Sequence, residues 1–282
     1  MSLSYFPLDG NDFRFTMGLR ALKNRSWLHE DQNHRTDLEE KDRILTKYYD
    51  QVVAARPGSL TAQQEILELV RDELQTNYPN TDVPMPPNAD EVPIVIAARH
   101  VQEDLVLMQE INNKFILSAA CVCFPTGWNL QEKAGKPLMA IHDPVPDLNE
   151  RIGNPIDRFF QNLKGGKKVE RFNWGLYDCA DLFQPAWRRD THHPNKQIDA
   201  DNIGHKVFFR VERQTLQRLS NGKDILFTIR IFTNTLAEVT SEKSRATKLL
   251  RSLQTMPNSI KKYKSINRFD APLMAFLKAA SN

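Results

Sequence analysis

The sequence predicts an α+β fold in which a five-stranded antiparallel sheet follows a helical layer and precedes a helical tail. Three observations carry this reading. Two long helical stripes lie before residue 78, five short apolar or alternating runs follow residue 100, and a helical pattern returns at 236–254. Taken as one domain over 1–282, the chain divides into a helical extension at 1–90, a sheet core at 91–235 and a helical tail at 236–282.

From Leu38, the residues Ile44, Leu45, Tyr48, Tyr49, Val52 and Val53 recur at helical spacing until Arg56-Pro57-Gly58 breaks the pattern. The next stripe is Ile66, Leu67, Leu69, Val70 and Leu74; it ends before Pro79, and Thr61 with Gln64 has the spacing of a capping box. Residues 77–93, rich in Pro, Asn and Asp, read as an ordered linker or lid. EDLVLMQ, a turn at Asn112-Asn113 and FILSAACVCF then make a hairpin. In LMAIHDPVPD, Pro144 and Pro146 forbid a regular helix, so an extended course is expected. A helix follows with Asn154 as cap and Pro155 in its first turn; it presents Ile156, Phe159, Phe160 and Leu163 on one side and stops at Gly165-Gly166. VERFNWGLY, KVFFRVERQTLQRL and ILFTIRIFT supply three more strands, the last two joined through Ser220-Asn221-Gly222.

The charges of that last hairpin bear on its register. A two-residue Asn-Gly loop sets Arg213 opposite Arg230, a disfavoured like-charge pair. A three-residue loop with Gly222 in the left-handed position instead pairs Leu219 with Lys223 and Glu212 with Arg230. Alternation then puts Phe208, Arg210, Glu212, Gln214, Thr228 and Arg230 on a polar face, with Val207, Phe209, Val211, Ile225, Phe227, Ile229 and Ile231 behind them. On the neighbouring strand Arg171, Asn173 and Tyr177 alternate with Phe172, Trp174 and Leu176, giving a second polar stripe. The pattern suits a solvent-facing sheet surface with a cross-strand ion pair, and it equally suits the wall of a ligand cavity.

Hydrophobic residues make up 40% of the chain and charged residues 26%, and no apolar run is long enough to span a bilayer, so a soluble globular chain is expected. The start, MSLSYFPLDGNDFRF, has neither the basic opening nor the apolar middle of a secretory signal, which makes the cytoplasm the expected compartment. Cys121, Cys123 and Cys179 have no zinc spacing, and their odd number argues against a disulfide framework. A net charge of +3 demands no nucleic acid, and KGGKKVER and KSINRFD read as solvated loops. The absence of GxGxxG, Walker, GxSxG and HExxH patterns removes the simplest nucleotide, esterase and zinc-protease readings. Among seven histidines, His142 alone stands in a constrained backbone, before Asp143-Pro144-Val145-Pro146; it is the metal-ligand candidate, although an imidazole in such a loop also serves to satisfy backbone groups. His192-His193 lie in a polar stretch and read as surface.

Seven motifs occur in order: SWLHED at 26–31, VQEDLVLM at 101–108, CFPTGWNLQEKAGKPLMAIHDPVP at 123–146, RFNW at 171–174, RVERQTLQRL at 210–219, FTIR at 227–230 and KKYK at 261–264. Together they resemble the haem-dependent oxidative N-demethylase family, alpha-subunit-like. The resemblance implies a PAS-like sheet that binds haem b and uses O₂ and reducing equivalents to oxidise a small amine, releasing formaldehyde. It implies electrons from a partner reductase carrying FMN and iron–sulfur centres and fed by NADPH, since the chain itself has no dinucleotide fingerprint or iron–sulfur cysteine set. By the same resemblance, His142 is the axial ligand, and Arg171, Arg210 and Lys133 are the partners of the haem propionates. Glu212, Trp174 and Tyr177 face the protonated amine, with Arg230 holding the carboxylate in place. Neither a membrane nor nucleic acid is an expected partner. The other reading of such a fold is a haem or small-ligand sensor without catalysis.

Overall fold

The computed structural model describes residues 3–23, 25–79, 81, 91–191 and 197–282. Seven strands, rather than the expected five, form one sheet: β1 (Arg20–Ala21), β2 (Val53–Ala55), β3 (Asp104–Ile111), β4 (Lys114–Cys121), β5 (Lys168–Tyr177), β6 (Phe208–Arg218) and β7 (Ile225–Thr235). Their order is β1-β5-β6-β7-β3-β4-β2, and every neighbouring pair is antiparallel. The two additional strands are two and three residues long, too short for alternation to show in a sequence, and each is defined by pairing to a free edge.

Eleven α-helical segments lie among the described residues: α1 (His34–Val52), α2 (Leu60–Asn77), α3 (Pro93–Ala98), α4 (Leu138–His142), α5 (Asn154–Asn162), α6 (Ala186–Thr191), α7 (Ile203–Lys206), α8 (Leu236–Thr240), α9 (Lys243–Thr255), α10 (Asn258–Tyr263) and α11 (Asp270–Ser281). The stripes of α1 and α2 bury Ile44, Leu45, Ile66, Leu67, Val70 and Leu74 against Leu105, Leu107 and Leu226 on one side of the sheet. Farther along that side, α8 to α11 cover Leu176, Phe209, Val211 and Phe232. The other side is covered by residues 130–163, which pack Leu130, Leu138, Ile156 and Phe160 on Val106, Met108, Leu117, Leu216 and Ile225.

Several local expectations differ from the structure. Thr61 and Gln64 form no capping box; α2 starts after Ser59, whose Oγ donates to Arg56 O at 2.7 Å and accepts from Gln63 Nε2 at 2.8 Å. A capping box does form at Thr235 and Glu238, opening α8. The stretch expected to be extended at 138–142 is α4, because Pro137 precedes its first turn and Pro144 and Pro146 fall beyond its end. Asn154 is no cap, since a π-helical turn at Asn149–Gly153 runs straight into α5. Most of the 77–93 linker, and His192-His193, lie outside the described residues. The turn at Asn112-Asn113 is as expected, with φ of 51° and 59°.

The last hairpin takes the register that charge repulsion disfavours. Arg213 is opposite Arg230 and Glu212 is opposite Ile231. The ladder closes with Leu219 N donating to Asp224 O at 2.8 Å, and Asn221 Oδ1 accepts from both Lys223 N and Asp224 N at 2.9 Å, bracing a longer loop than the three residues expected. Among the described residues no helix is long and apolar enough to cross a membrane.

Candidate functional site

The register of β5 and β6 sets Arg171 opposite Gln214 and Asn173 opposite Glu212, so these four side chains share the sheet face that residues 130–163 cover. Asn173 Nδ2 donates to Glu212 Oε2 at 3.2 Å, and Gln214 Nε2 donates to the same oxygen at 2.8 Å. Both amides therefore converge on Oε2, and among the described residues no donor meets Oε1. Arg171 is drawn below the ordinary guanidinium range by burial, with Glu212 acting against that shift, and its buried Nε has no hydrogen-bond partner. Thr233, opposite Arg210 on the same face, also buries an unpartnered hydroxyl.

The covering segment supplies Lys133 and His142. Lys133 is buried and its Nζ donates to Ile141 O at 2.9 Å, which ties the 130–136 turn to α4. His142 ends α4 with its Nδ1 buried and unpartnered. Burial first, and then the charges of Arg171 and Lys133, push its pKa down to about 4, so the ring is neutral at physiological pH and keeps a free lone pair.

Lys264 joins the group from the tail. β1 covers β5 only along Val169 and Glu170, and beyond them the outer edge of β5 is open to the turn after α10. There Lys264 Nζ donates to Trp174 O at 2.6 Å and reaches Asn173 Oδ1 at 3.4 Å. Burial, reinforced by Arg171 and opposed by Glu212, lowers its pKa to about 8. The sequence showed this lysine only inside the KKYK motif; nothing local signals that the tail returns to β5.

The remaining expected site residues lie elsewhere. Arg210 shares the face of Glu212 but is 1% exposed, and every guanidinium nitrogen is engaged: Nε with Thr126 Oγ1, one terminal nitrogen with Asp181 O, and the other with Phe124 O and Leu182 O, all at 2.8–3.0 Å. It clamps two loops onto the sheet. Tyr177 is on the same face, its ring folded over Gly175 so closely that a Cβ there would sit 2.6 Å from it. Trp174 points to the other face and stacks on Phe209 at 5.6 Å. Arg230 was expected beside Glu212; the one-residue difference in register moves it to the opposite face, where it meets Asp31 at 2.9 Å and Asp37 at 3.2 Å.

That opposite face gathers several motif residues into a buried ionic layer. Arg213 binds Glu170 at 2.9 Å, Glu103 accepts from His29 N at 2.7 Å, and Gln102 accepts from Asp31 N at 3.1 Å. Lys41, wholly buried, donates to the carbonyls of Ala98, Val101 and Glu103. Parts of the 26–31, 101–108, 210–219 and 227–230 motifs thus brace the sheet from behind, while Arg171, Asn173, Glu212, Gln214, His142, Lys133 and Lys264 form the polar group in front.

A family model described as haem-dependent oxidative N-demethylase, alpha subunit-like, matches residues 18–274. The chain belongs to this family. The matched span runs from just before β1 into α11 and contains each residue of the front group. Membership in this alpha subunit-like family points to an oxidative, haem-dependent activity, the class that the family's name gives.

Proposed function

We propose that the chain holds haem b against the polar front of β5 and β6 and removes a methyl group oxidatively from a small amine. The observation that carries this is the buried, unpartnered Nδ1 of a neutral His142 beside Arg171, whose buried Nε is also unpartnered. A neutral imidazole nitrogen is an axial ligand for haem iron, and guanidinium and ammonium groups suit propionates. The residues present fit the group. Lys133, Arg171 and Lys264 outnumber the carboxylates of Glu212 and Asp143, and that excess of positive charge suits the two propionates of a haem. Among the described residues no three His, Cys, Asp or Glu gather, and a lone imidazole suits an iron that brings its own equatorial ligands.

In this reading His142 would ligate the haem iron, and Arg171 and Lys133 would hold the propionates. Bound haem supplies O₂ activation and one-electron chemistry. Glu212 takes the protonated amine through Oε1 by a charge-assisted hydrogen bond, while Asn173 and Gln214 fix the carboxylate through Oε2. Tyr177 offers an aromatic face to the ammonium. Arg210 serves as the loop clamp, and Trp174 and Arg230 support the sheet from behind. The five long strands keep the order of two strands, helices and three strands on which a PAS-like reading rests. Electrons come from a separate NADPH-dependent flavin and iron–sulfur reductase, in the cytoplasm.

The test is formaldehyde release. Haem-loaded protein supplied with O₂, dimethylamine, and NADPH with such a reductase is expected to release formaldehyde, and Glu212→Gln to lower the rate at least ~100-fold. Haem binding with no formaldehyde from dimethylamine or a panel of N-methylamines would favour the sensor reading instead.

A further inference from the structure

We infer that Lys264 is a positioning residue that fixes which way the Asn173 amide faces and, through it, orients the Glu212 carboxylate toward a cationic amine. This rests on the reading of Glu212 as the amine-binding group.

An asparagine amide has two orientations of nearly the same shape, one presenting an oxygen and the other two N–H donors. An ammonium can only donate, so a lysine placed beside one end of the amide decides between them. Lys264 Nζ reaches Asn173 Oδ1 at 3.4 Å, and the opposite end of that amide donates to Glu212 Oε2 at 3.2 Å. With the amide reversed, Asn173 would present oxygen to a carboxylate and nitrogen to an ammonium, so both contacts would be repulsive. Gln214 donates to the same Oε2 at 2.8 Å. The two amides together hold the carboxylate plane and leave Oε1 as the oxygen that no donor of the described residues engages.

Lys264 is itself well anchored. Its Nζ donates to Trp174 O at 2.6 Å, a main-chain acceptor on the open edge of β5. The next residue, Ser265, turns the chain with φ of 58°, and Ile266 and Phe269 bury themselves immediately after it. The charged groups that face Lys264 are Glu212 from β6 and Arg171 from β5; on its own helix, Lys261 is paired with Asp270 at 3.1 Å. Among the described residues Glu212 is therefore the one anion acting on this ammonium, and removing it must be felt at Nζ.

Two measurements on the full chain decide the matter. In ¹⁵N-lysine NMR, Lys264 is expected to titrate near pH 8 in the wild type and lower in Glu212→Gln, because the anion that favours its charged form is gone. An unchanged midpoint would overturn the inference. In calorimetry of the haem-loaded protein with dimethylammonium chloride, Lys264→Met is expected to weaken binding about tenfold and Lys264→Arg to restore most of it. In an Asn173→Ala background, Lys264→Met should change the affinity no further, because its effect passes through that amide. Wild-type affinity in Lys264→Met, or additive effects of the two changes, would also overturn it. If Lys264→Met fails to fold, Lys264→Arg and the NMR titration still give the answer. A wild-type chain that binds no dimethylammonium while Lys264 still responds to Glu212→Gln would sink the amine reading of the site and leave the Lys264–Asn173–Glu212 relay standing.

Discussion

Arg213 and Arg230 stand directly opposite each other across β6 and β7, and each guanidinium is held by carboxylates from outside the pair. Glu170 takes Arg213 from β5, while Asp31 and Asp37 take Arg230 from the N-terminal segment and α1. Like charges at that distance repel unless each is neutralised separately, and here each is. The consequence reaches the front of the sheet, because the register that pairs these arginines also turns Glu212 toward Asn173 and His142's segment.

Glu170 is wholly buried and also receives Arg20 and Arg25, which are 57% and 50% exposed. Glu170→Gln is expected to cost about 3–5 kcal/mol in urea unfolding, because it strands a buried guanidinium. Replacing Glu170 by Leu together with Arg213 by Met should recover most of that loss, since the two exposed arginines return to water. A single-variant cost below ~1 kcal/mol would mean that the ionic layer does not fix the register.

Asp104 gives a pH dependence of the opposite sign to Glu170. Burial raises the Asp104 pKa to about 6, against the pull of Lys41 and the N–H donors of Cys123 and Phe124. The folded state thus binds this proton more tightly than the unfolded chain, whose aspartates titrate near ~3.9. Its stabilising effect is complete below that value and is lost as pH rises through about 6. Glu170 is held below the ordinary carboxylate range, since Arg213, Arg20 and Arg25 outweigh its burial; its contribution is present above the unfolded pKa and lost as pH falls through the folded one. Relative to Asp104→Asn, the wild type should lose about 2 kcal/mol between pH 4 and 6 in unfolding experiments. A flat difference curve would refute the assignment.

Gly175 is a glycine for space and not for backbone freedom. A Cβ on it would meet the Tyr177 ring and hydroxyl at 2.6 Å. Gly175→Ala should therefore destabilise by about 1–3 kcal/mol, and a second change, Tyr177→Val, should relieve most of it. Additive losses in a thermal-unfolding cycle would show that Tyr177 does not occupy that space.

The long periodic elements could be read before the structure because their signals are local. The stripes of α1 and α2, the Asn112-Asn113 turn and the five long strands each follow from residues within one segment. The hairpin register could not, since cross-strand charge was the only local guide and carboxylates from β5, the N-terminal segment and α1 overrule it. The same gap put Arg230 on the wrong face and hid Lys264. Backbone constraint singles out His142 and strand alternation singles out Arg171 and Glu212, while their roles, and Lys133, follow only from the motif resemblance; the helix carrying His142 is hidden because the prolines that argue against it fall after its end.

Haem titration of the purified chain, with absorption spectra of oxidised and reduced forms beside those of His142→Ala, tests the central proposal most directly. The expected result is a Soret band that saturates at one haem per wild-type chain and is abolished or strongly shifted in His142→Ala, with Arg171→Met binding haem roughly tenfold more weakly. A wild-type chain that takes up no haem, or a His142→Ala spectrum identical to wild type, would contradict it.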